Sequence, residues 1–337
     1  MASRNSKRPR PRLDMHDAVR RYDVTRLKNL VDAGAPLTEV DDYNRTPLHL
    51  AVCAWRPEVA CVQEMVTILL STNDEDELFE ALCARSDDGM TPLHLVASCG
   101  TTSLMDKFLV SVGVELVEDI LEMKSHLKGA LWNGNWGKKA SDGQLEELDV
   151  QHMTLLHVAL ERLDPNVDDD DDDDDGDEAA LSDAARAEGV AMVKMLIQRG
   201  ANVNAKDANG RTPLHQAVAA GLQDMAQLLI ESGADPTVGC KAIGMSNNTL
   251  HQAVIRGDEE MTRLLIRTAP RLDVNAEGQN GMTPLCLAAR SNKVACAKAL
   301  VDAGADPKAV TGFGKSALDI ARTNKRARIL EIFGEES

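Results

Sequence analysis

The thirty residues from Lys206 to Asp235, KDANGRTPLHQAVAAGLQDMAQLLIESGAD, most constrain what this chain can fold into, because they spell a unit that cannot stand alone. Thr212 suits a helix N-cap, since its hydroxyl can accept from an orphan backbone N–H. Pro213 suits the first helical position, where a missing N–H costs nothing. Leu214, Ala217 and Val218 recur on one face, and Gly221 supplies the left-handed residue that stops a helix. A second amphipathic segment, with Met225, Leu228, Leu229 and Ile230 inward, runs to Gly233, and Asp235-Pro236 turns the chain. Helices shorter than about 12–15 residues are marginal in water on their own. Both segments therefore need neighbours to cover their apolar faces.

The neighbours are copies. Thr46-Pro47-Leu48-His49-Leu50-Ala51 and Thr91-Pro92-Leu93-His94 repeat the motif closely, and Thr154-Leu155-Leu156-His157-Val158-Ala159 lacks only the proline. Asn248-Thr249-Leu250-His251-Gln252-Ala253 is degenerate, Thr283-Pro284-Leu285-Cys286-Leu287-Ala288 replaces the histidine, and Met15-His16-Asp17-Ala18 and Ser316-Ala317-Leu318-Asp319 are weaker end copies. On these residues the chain resembles the ankyrin-repeat family, with its T-P-L-H-x-A stretch in a unit of about 33 residues. The resemblance runs from Leu13 to Phe333. It implies an all-α ankyrin-repeat solenoid of about eight helix-turn-helix units with hairpin-like loops, occupying residues 13–334 between a basic tail at 1–12 and a short tail at 335–337.

Composition narrows the class further. Aromatics are only 3% of 337 residues, so small helix formers and leucines must carry the burial. Seven cysteines without close-spaced ligand pairs read as reduced thiols of an intracellular protein, cytoplasmic or nuclear. No run of eighteen apolar residues occurs and the N-terminus lacks the apolar core of a secretory signal, so no membrane span is expected. A net charge of −17 disfavours direct nucleic-acid binding and is compatible with a basic partner surface. In the tail, which is expected to be disordered, Lys7-Arg8-Pro9-Arg10 reads either as a nuclear-import signal or as a solvated basic run.

Three departures from the period stand out. Thr46 and Thr91 are 45 residues apart, with additions at about 54–60 around Trp55 and near Asp74-Glu75-Asp76-Glu77, the latter read as a solvated turn. Thr91 and Thr154 are 63 apart, and Val114, Leu116, Val117, Ile120 and Leu121 suggest an extra amphipathic helix within an insertion at 115–148 that also carries Trp132 and Trp136. Each tryptophan is either a partner anchor or a cover folded back on the array. The fourth repeat is split by an acidic loop at 164–188, containing the unbroken run Asp168 to Asp175 and expected to be disordered. That loop reads as a solubilising insertion or as a binder of basic proteins.

Catalytic and metal signatures are missing. The motif histidines His49, His94, His157, His215 and His251 fall on different helices, whose axes pack about 8–10 Å apart, too far for shared zinc. The resemblance implies instead that they bond backbone groups and tie each repeat to the next. Gly314-Lys315-Ser316 lacks the leading glycine of a phosphate loop, since Ala309 stands there. The reading is a non-enzymatic, monomeric adaptor or regulator without metal or cofactor that binds a partner protein through the concave face and loop tips. Alternatives are a chaperone of basic proteins acting through the acidic loop, or an enzyme-associated subunit. The resemblance places binding positions around the loop turns, at Tyr43, Arg45, Asp88, Met90, Lys206, Asn209, Arg211, Asn280 and Phe313, with Trp55, Trp132 and Trp136 as added candidates. It also implies that Asn204, with Leu196 eight residues earlier and Val203 adjacent, is a candidate for asparagine hydroxylation.

Overall fold

A computed structural model describes residues 14–54, 60–72, 74–111, 117–122, 153–164, 183–240, 247–269 and 271–334. It divides into two compact units, residues 1–120 and 121–337.

The first unit holds α1 (Asp14–Arg20), α2 (Val24–Asp32), α3 (Pro47–Cys53), α4 (Ala60–Leu70), α5 (Glu75–Cys83), α6 (Pro92–Cys99) and α7 (Thr102–Ser111). Three antiparallel pairs stack. The first helices pack α1 on α3 and α3 on α6, and the second helices pack α2 on α4 and α4 on α7. Helix α8 (Val117–Glu122) spans the division in sequence, with Ile120 and Leu121 buried. The extra helix expected after the third repeat is therefore present over those six residues.

The second unit holds five pairs: α9 (Leu155–Glu161) with α10 (Asp183–Gln198), α11 (Pro213–Ala220) with α12 (Gln223–Glu231), α13 (Thr249–Arg256) with α14 (Glu259–Thr268), α15 (Pro284–Ser291) with α16 (Val294–Asp302), and α17 (Ala317–Thr323) with α18 (Ala327–Ile332). First helices stack from α9 through α11, α13 and α15 to α17, and second helices stack from α12 through α14 and α16 to α18. Three pairs and five make the eight expected. Among the described residues the sole extended pairing is an isolated antiparallel bridge, Val310 with Ser316.

The threonine-proline start works as the motif suggests, and histidine completes it. At α3, the Thr46 hydroxyl lies 2.8 Å from His49 Nδ1, and the Thr46 backbone N–H donates to that same nitrogen at 3.0 Å. A backbone N–H can only donate, so Nδ1 is the acceptor and the ring is the neutral tautomer with its proton on Nε2. That proton is donated to the Met90 carbonyl at 3.1 Å, at the start of the next repeat. The same reach recurs from His16 to the Arg45 carbonyl (2.7 Å), from His157 to Arg211 (3.1 Å) and from His251 to Met282 (3.0 Å). In each case the acceptor is the residue just before the next N-cap. The inter-repeat tie implied by the resemblance is thus a hydrogen bond.

Two expectations are corrected. The acidic stretch at 74–77 is a helix rather than a turn: Asp74 accepts from the Glu77 N–H at 3.0 Å, three acids fill the first turn of α5 where the helix dipole favours negative charge, and Leu78, Ala81 and Leu82 are buried. The acidic loop also ends earlier than 188, because α10 starts at Asp183 and buries Gly189, Met192, Val193 and Leu196. The tail at 1–12, the unbroken aspartate run, Trp55, Trp132 and Trp136 lie outside the described residues.

Candidate protein-binding surface

Five of the loops before an N-cap are tight hairpins closed on themselves. In each, the N–H of the first residue donates to the carbonyl of the fifth, from Asp41 to Arg45, Ser86 to Met90, Asp207 to Arg211, Gly278 to Met282 and Thr311 to Lys315. The fourth residue is left-handed, with φ of 77° at Gly89, 75° at Gly210, 66° at Gly281 and 71° at Gly314. Asn44 takes that role in the second repeat with φ 55°, an asparagine being among the few non-glycine residues suited to it.

Two of these loops carry an internal clamp. Asp207 Oδ1 accepts from the N–H groups of Asn209 (2.9 Å) and Arg211 (2.8 Å), while its Oδ2 takes the Arg211 guanidinium at 2.7 Å. Asp41 does the same with Tyr43 and Arg45, and its Oδ2 also receives Arg20 at 2.8 Å. Burial pushes the Asp41 carboxyl up, but the hydrogen bonds from Arg45 and Tyr43 outweigh it and hold the group below its usual value. Arg45 and Arg211, expected as partner contacts, therefore work first as hairpin clamps. The Asp207 side chain is fully buried. Asp207→Ala strands two N–H donors and the guanidinium, and is expected to cost about 2 kcal/mol of stability in urea unfolding.

The remaining loop candidates separate by exposure. Phe313 is 71% exposed and Tyr43 43%, the latter with the Arg45 guanidinium 4.7 Å from its ring centroid. Asp88, Lys206 and Asn280 are exposed and Asn209 is half-buried. Met90 is corrected: it is 2% exposed and its apolar side chain belongs to the core, while its carbonyl accepts from His49 of the preceding repeat. Met282 is placed alike. Asn204 is exposed, and its amide bridges successive repeats, donating to the Gly233 carbonyl (3.1 Å) and accepting from the Asp235 N–H (2.8 Å).

A second row of free positions lies on the first helices of the second unit and was missed at the sequence level. Ala219, Ile255, Arg290 and Thr323 each stand seven residues after their N-cap, and because α11, α13, α15 and α17 stack, these positions fall side by side. Ile255 is 43% exposed, and Arg290 and Thr323 are exposed. The available signal was an isoleucine at a position that its neighbours fill with alanine, arginine and threonine. Beside this row, basic residues reach back across repeats: Arg256 donates to the Ala219 carbonyl, Lys293 to Arg256 at 3.3 Å and Arg326 to Arg290 at 3.3 Å. Each cation meets the free carbonyls and negative dipole end of the preceding first helix. Gly257, left-handed at φ 82°, leaves room for Lys293 to lie there.

All seven cysteines are free thiols, and no group of three or more metal-ligating side chains occurs among the described residues. No helix of the described residues is long and apolar enough to cross a membrane. Stacked helix pairs joined by clamped hairpins with exposed tips define a repeat protein of the interaction-scaffold class. A family model for ankyrin repeats, in three copies, matches residues 146–240 and 241–333, more than half of the chain, and the chain belongs to that family. Similar proteins include E3 ubiquitin-protein ligase KEG of Arabidopsis thaliana, 26% identical over 209 residues that make up 62% of this chain and 12% of that protein. Neurogenic locus notch homolog protein 1 of Xenopus laevis is 36% identical over 141 residues, 42% of this chain and 4% of that protein. The B-cell lymphoma 3 protein homolog of Mus musculus is 28% identical over 218 residues, 60% of this chain and 47% of that protein. The chain spans less than half the length of each of these relatives. Ankyrin repeats carry a protein–protein interaction role, and the ligase match concerns a part of that protein only.

Proposed function

We propose that this chain is an adaptor or regulator that binds a partner protein through its hairpin tips and first-helix face. The observation that carries the reading is Phe313, a large apolar ring 71% exposed at a loop tip where the hairpin needs no aromatic residue. Aromatic and arginine side chains are the types that dominate interface energetics. Ile255 and Arg290, on the first-helix row of the same unit, extend this surface, and Tyr43 offers a comparable contact on the first unit. The net charge of −17 favours a partner with basic patches, while an acid on that partner would meet Arg290.

Affinity capture from cell extract, with wild type beside Ile255→Asp/Phe313→Ala and Tyr43→Ala chains, tests the reading. Proteins captured by wild type are expected to fall at least about tenfold in at least one variant whose circular dichroism is unchanged, since losing one hot spot costs about 2 kcal/mol. Equal capture by all three chains would remove this surface from consideration.

A further inference from the structure

The stacking of second helices in the second unit has one gap. Helices α12, α14, α16 and α18 pack in succession, whereas α10 and α12 face each other across a cleft of about 650 Å3. Its walls are two helical stripes. Arg186, Val190 and Lys194 of α10 recur at i, i+4 and i+8, and Asp224, Gln227, Leu228 and Glu231 of α12 at i, i+3, i+4 and i+7, so each set lies on one face of its helix. Leu163, Leu222 and Met225, all buried, give the cleft an apolar floor. The α10 wall is basic and the α12 wall acidic, yet neither Arg186, Lys194 nor Asp224 makes an ion pair among the described residues. Opposite charges therefore line the two walls, Arg186 and Lys194 on one and Asp224 and Glu231 on the other.

We infer that the cleft between α10 and α12 is a docking groove for an amphipathic helix of a partner protein, carrying acids along one flank and bases along the other. Charge complementarity selects this occupant. An apolar stripe at i, i+3, i+4 and i+7 covers Leu163, Leu222, Met225 and Leu228, acids reach Arg186 and Lys194, and bases reach Asp224 and Glu231. The α10 stripe from Arg186 to Lys194 is about 12 Å long at 1.5 Å per residue, so the groove grips rather more than two turns. A helix with one sign of charge on both flanks meets repulsion at one wall. The groove lies between second helices, and none of Phe313, Ile255 and Arg290 lines it.

Three stapled helical peptides with the same leucine stripe serve as probes: one with glutamate on one flank and lysine on the other, one with glutamate on both, and one with lysine on both. By fluorescence anisotropy on the full chain, the mixed peptide is expected to bind at least about tenfold tighter than either single-charge peptide. Replacing its leucines by alanine is expected to abolish binding. In the Asp224→Lys/Glu231→Lys chain the all-glutamate peptide becomes the tightest, and in Arg186→Glu/Lys194→Glu the all-lysine peptide does. All four positions are exposed, so both variants are expected to keep the wild-type circular dichroism. Equal affinities, no binding, or an unchanged order in the reversed chains would overturn the inference. So would a wild-type dimer in sedimentation that dissociates in these variants, which would make the groove a contact between two copies. Capture of partners through Phe313 and Ile255 is independent of all these outcomes.

Discussion

Stability against urea is expected to be flat between about pH 7 and about pH 8 and to fall steadily between pH 6.5 and about pH 4, because the folded chain keeps its buried histidines neutral. Burial lowers the pKa of His49 and of His215 from 6.5 to about 4, and lowers those of His16 and His251 as well. At His49 the geometry adds a specific reason: Nδ1 accepts the Thr46 N–H, so a proton there would face a donor. The unfolded chain takes up protons near pH 6.5 while the folded one does not. Each such histidine then removes about 1.4 kcal/mol per pH unit until its folded value is reached. Glu161 opposes this, since burial raises its pKa and favours the folded state as pH falls, but it is one group against four. Asp41, Asp235 and Asp319 are held below their usual value, so their contribution is lost only below about pH 4. Urea midpoints at pH 7.5, 6.5, 5.5 and 4.5 check the slope, and a midpoint constant from 7.5 to 4.5 would mean that the rings are solvated.

Installing the aspartate that opens two of the other hairpins is expected to damage this one. Gly278 opens the loop before α15, where Asp41 and Asp207 open theirs. Here the side chain of Asn247, from the preceding repeat, occupies the space and accepts the Gln279 N–H at 2.8 Å. A Cβ at Gly278 would collide with Asn247 Oδ1 and lie 2.6 Å from His251 Nε2. Gly278→Asp should therefore destabilise the second unit by about 3 kcal/mol, through overpacking and loss of the His251 bond to the Met282 carbonyl. Asn247→Ala in the same chain should recover part of that loss. A Gly278→Asp chain as stable as wild type in thermal unfolding would contradict the packing described.

Repeat boundaries were legible because Thr-Pro fixes a helix start by local chemistry that needs no tertiary knowledge, and the histidine ties followed from the resemblance. At two places charge was read as solvation and the reading failed. At Asp74 to Glu77 acids stabilise a helix N-terminus, and at Asp183 they precede an apolar face that only packing reveals. The clamps were also present as a pattern, aspartate four residues before arginine at Asp41 and Asp207, but a side chain returning to its own turn reads in sequence like a free charged tip. Met90 was misplaced because a loop position next to an N-cap can turn an apolar side chain into the core, as Met282 does too. The cleft between α10 and α12 had no sequence signature, since a separation between two helices is a property of their packing.

The stacking of short helix pairs buries neutral histidines, four of which bond the backbone of the next repeat. Residue-resolved NMR titration of the imidazoles in the full chain tests this most directly. The expected result is that His49 and His215 stay neutral to about pH 4, with the proton on Nε2 at His49. Titration of both rings near pH 6.5 would show them open to water and would contradict the stacking on which the binding surface rests.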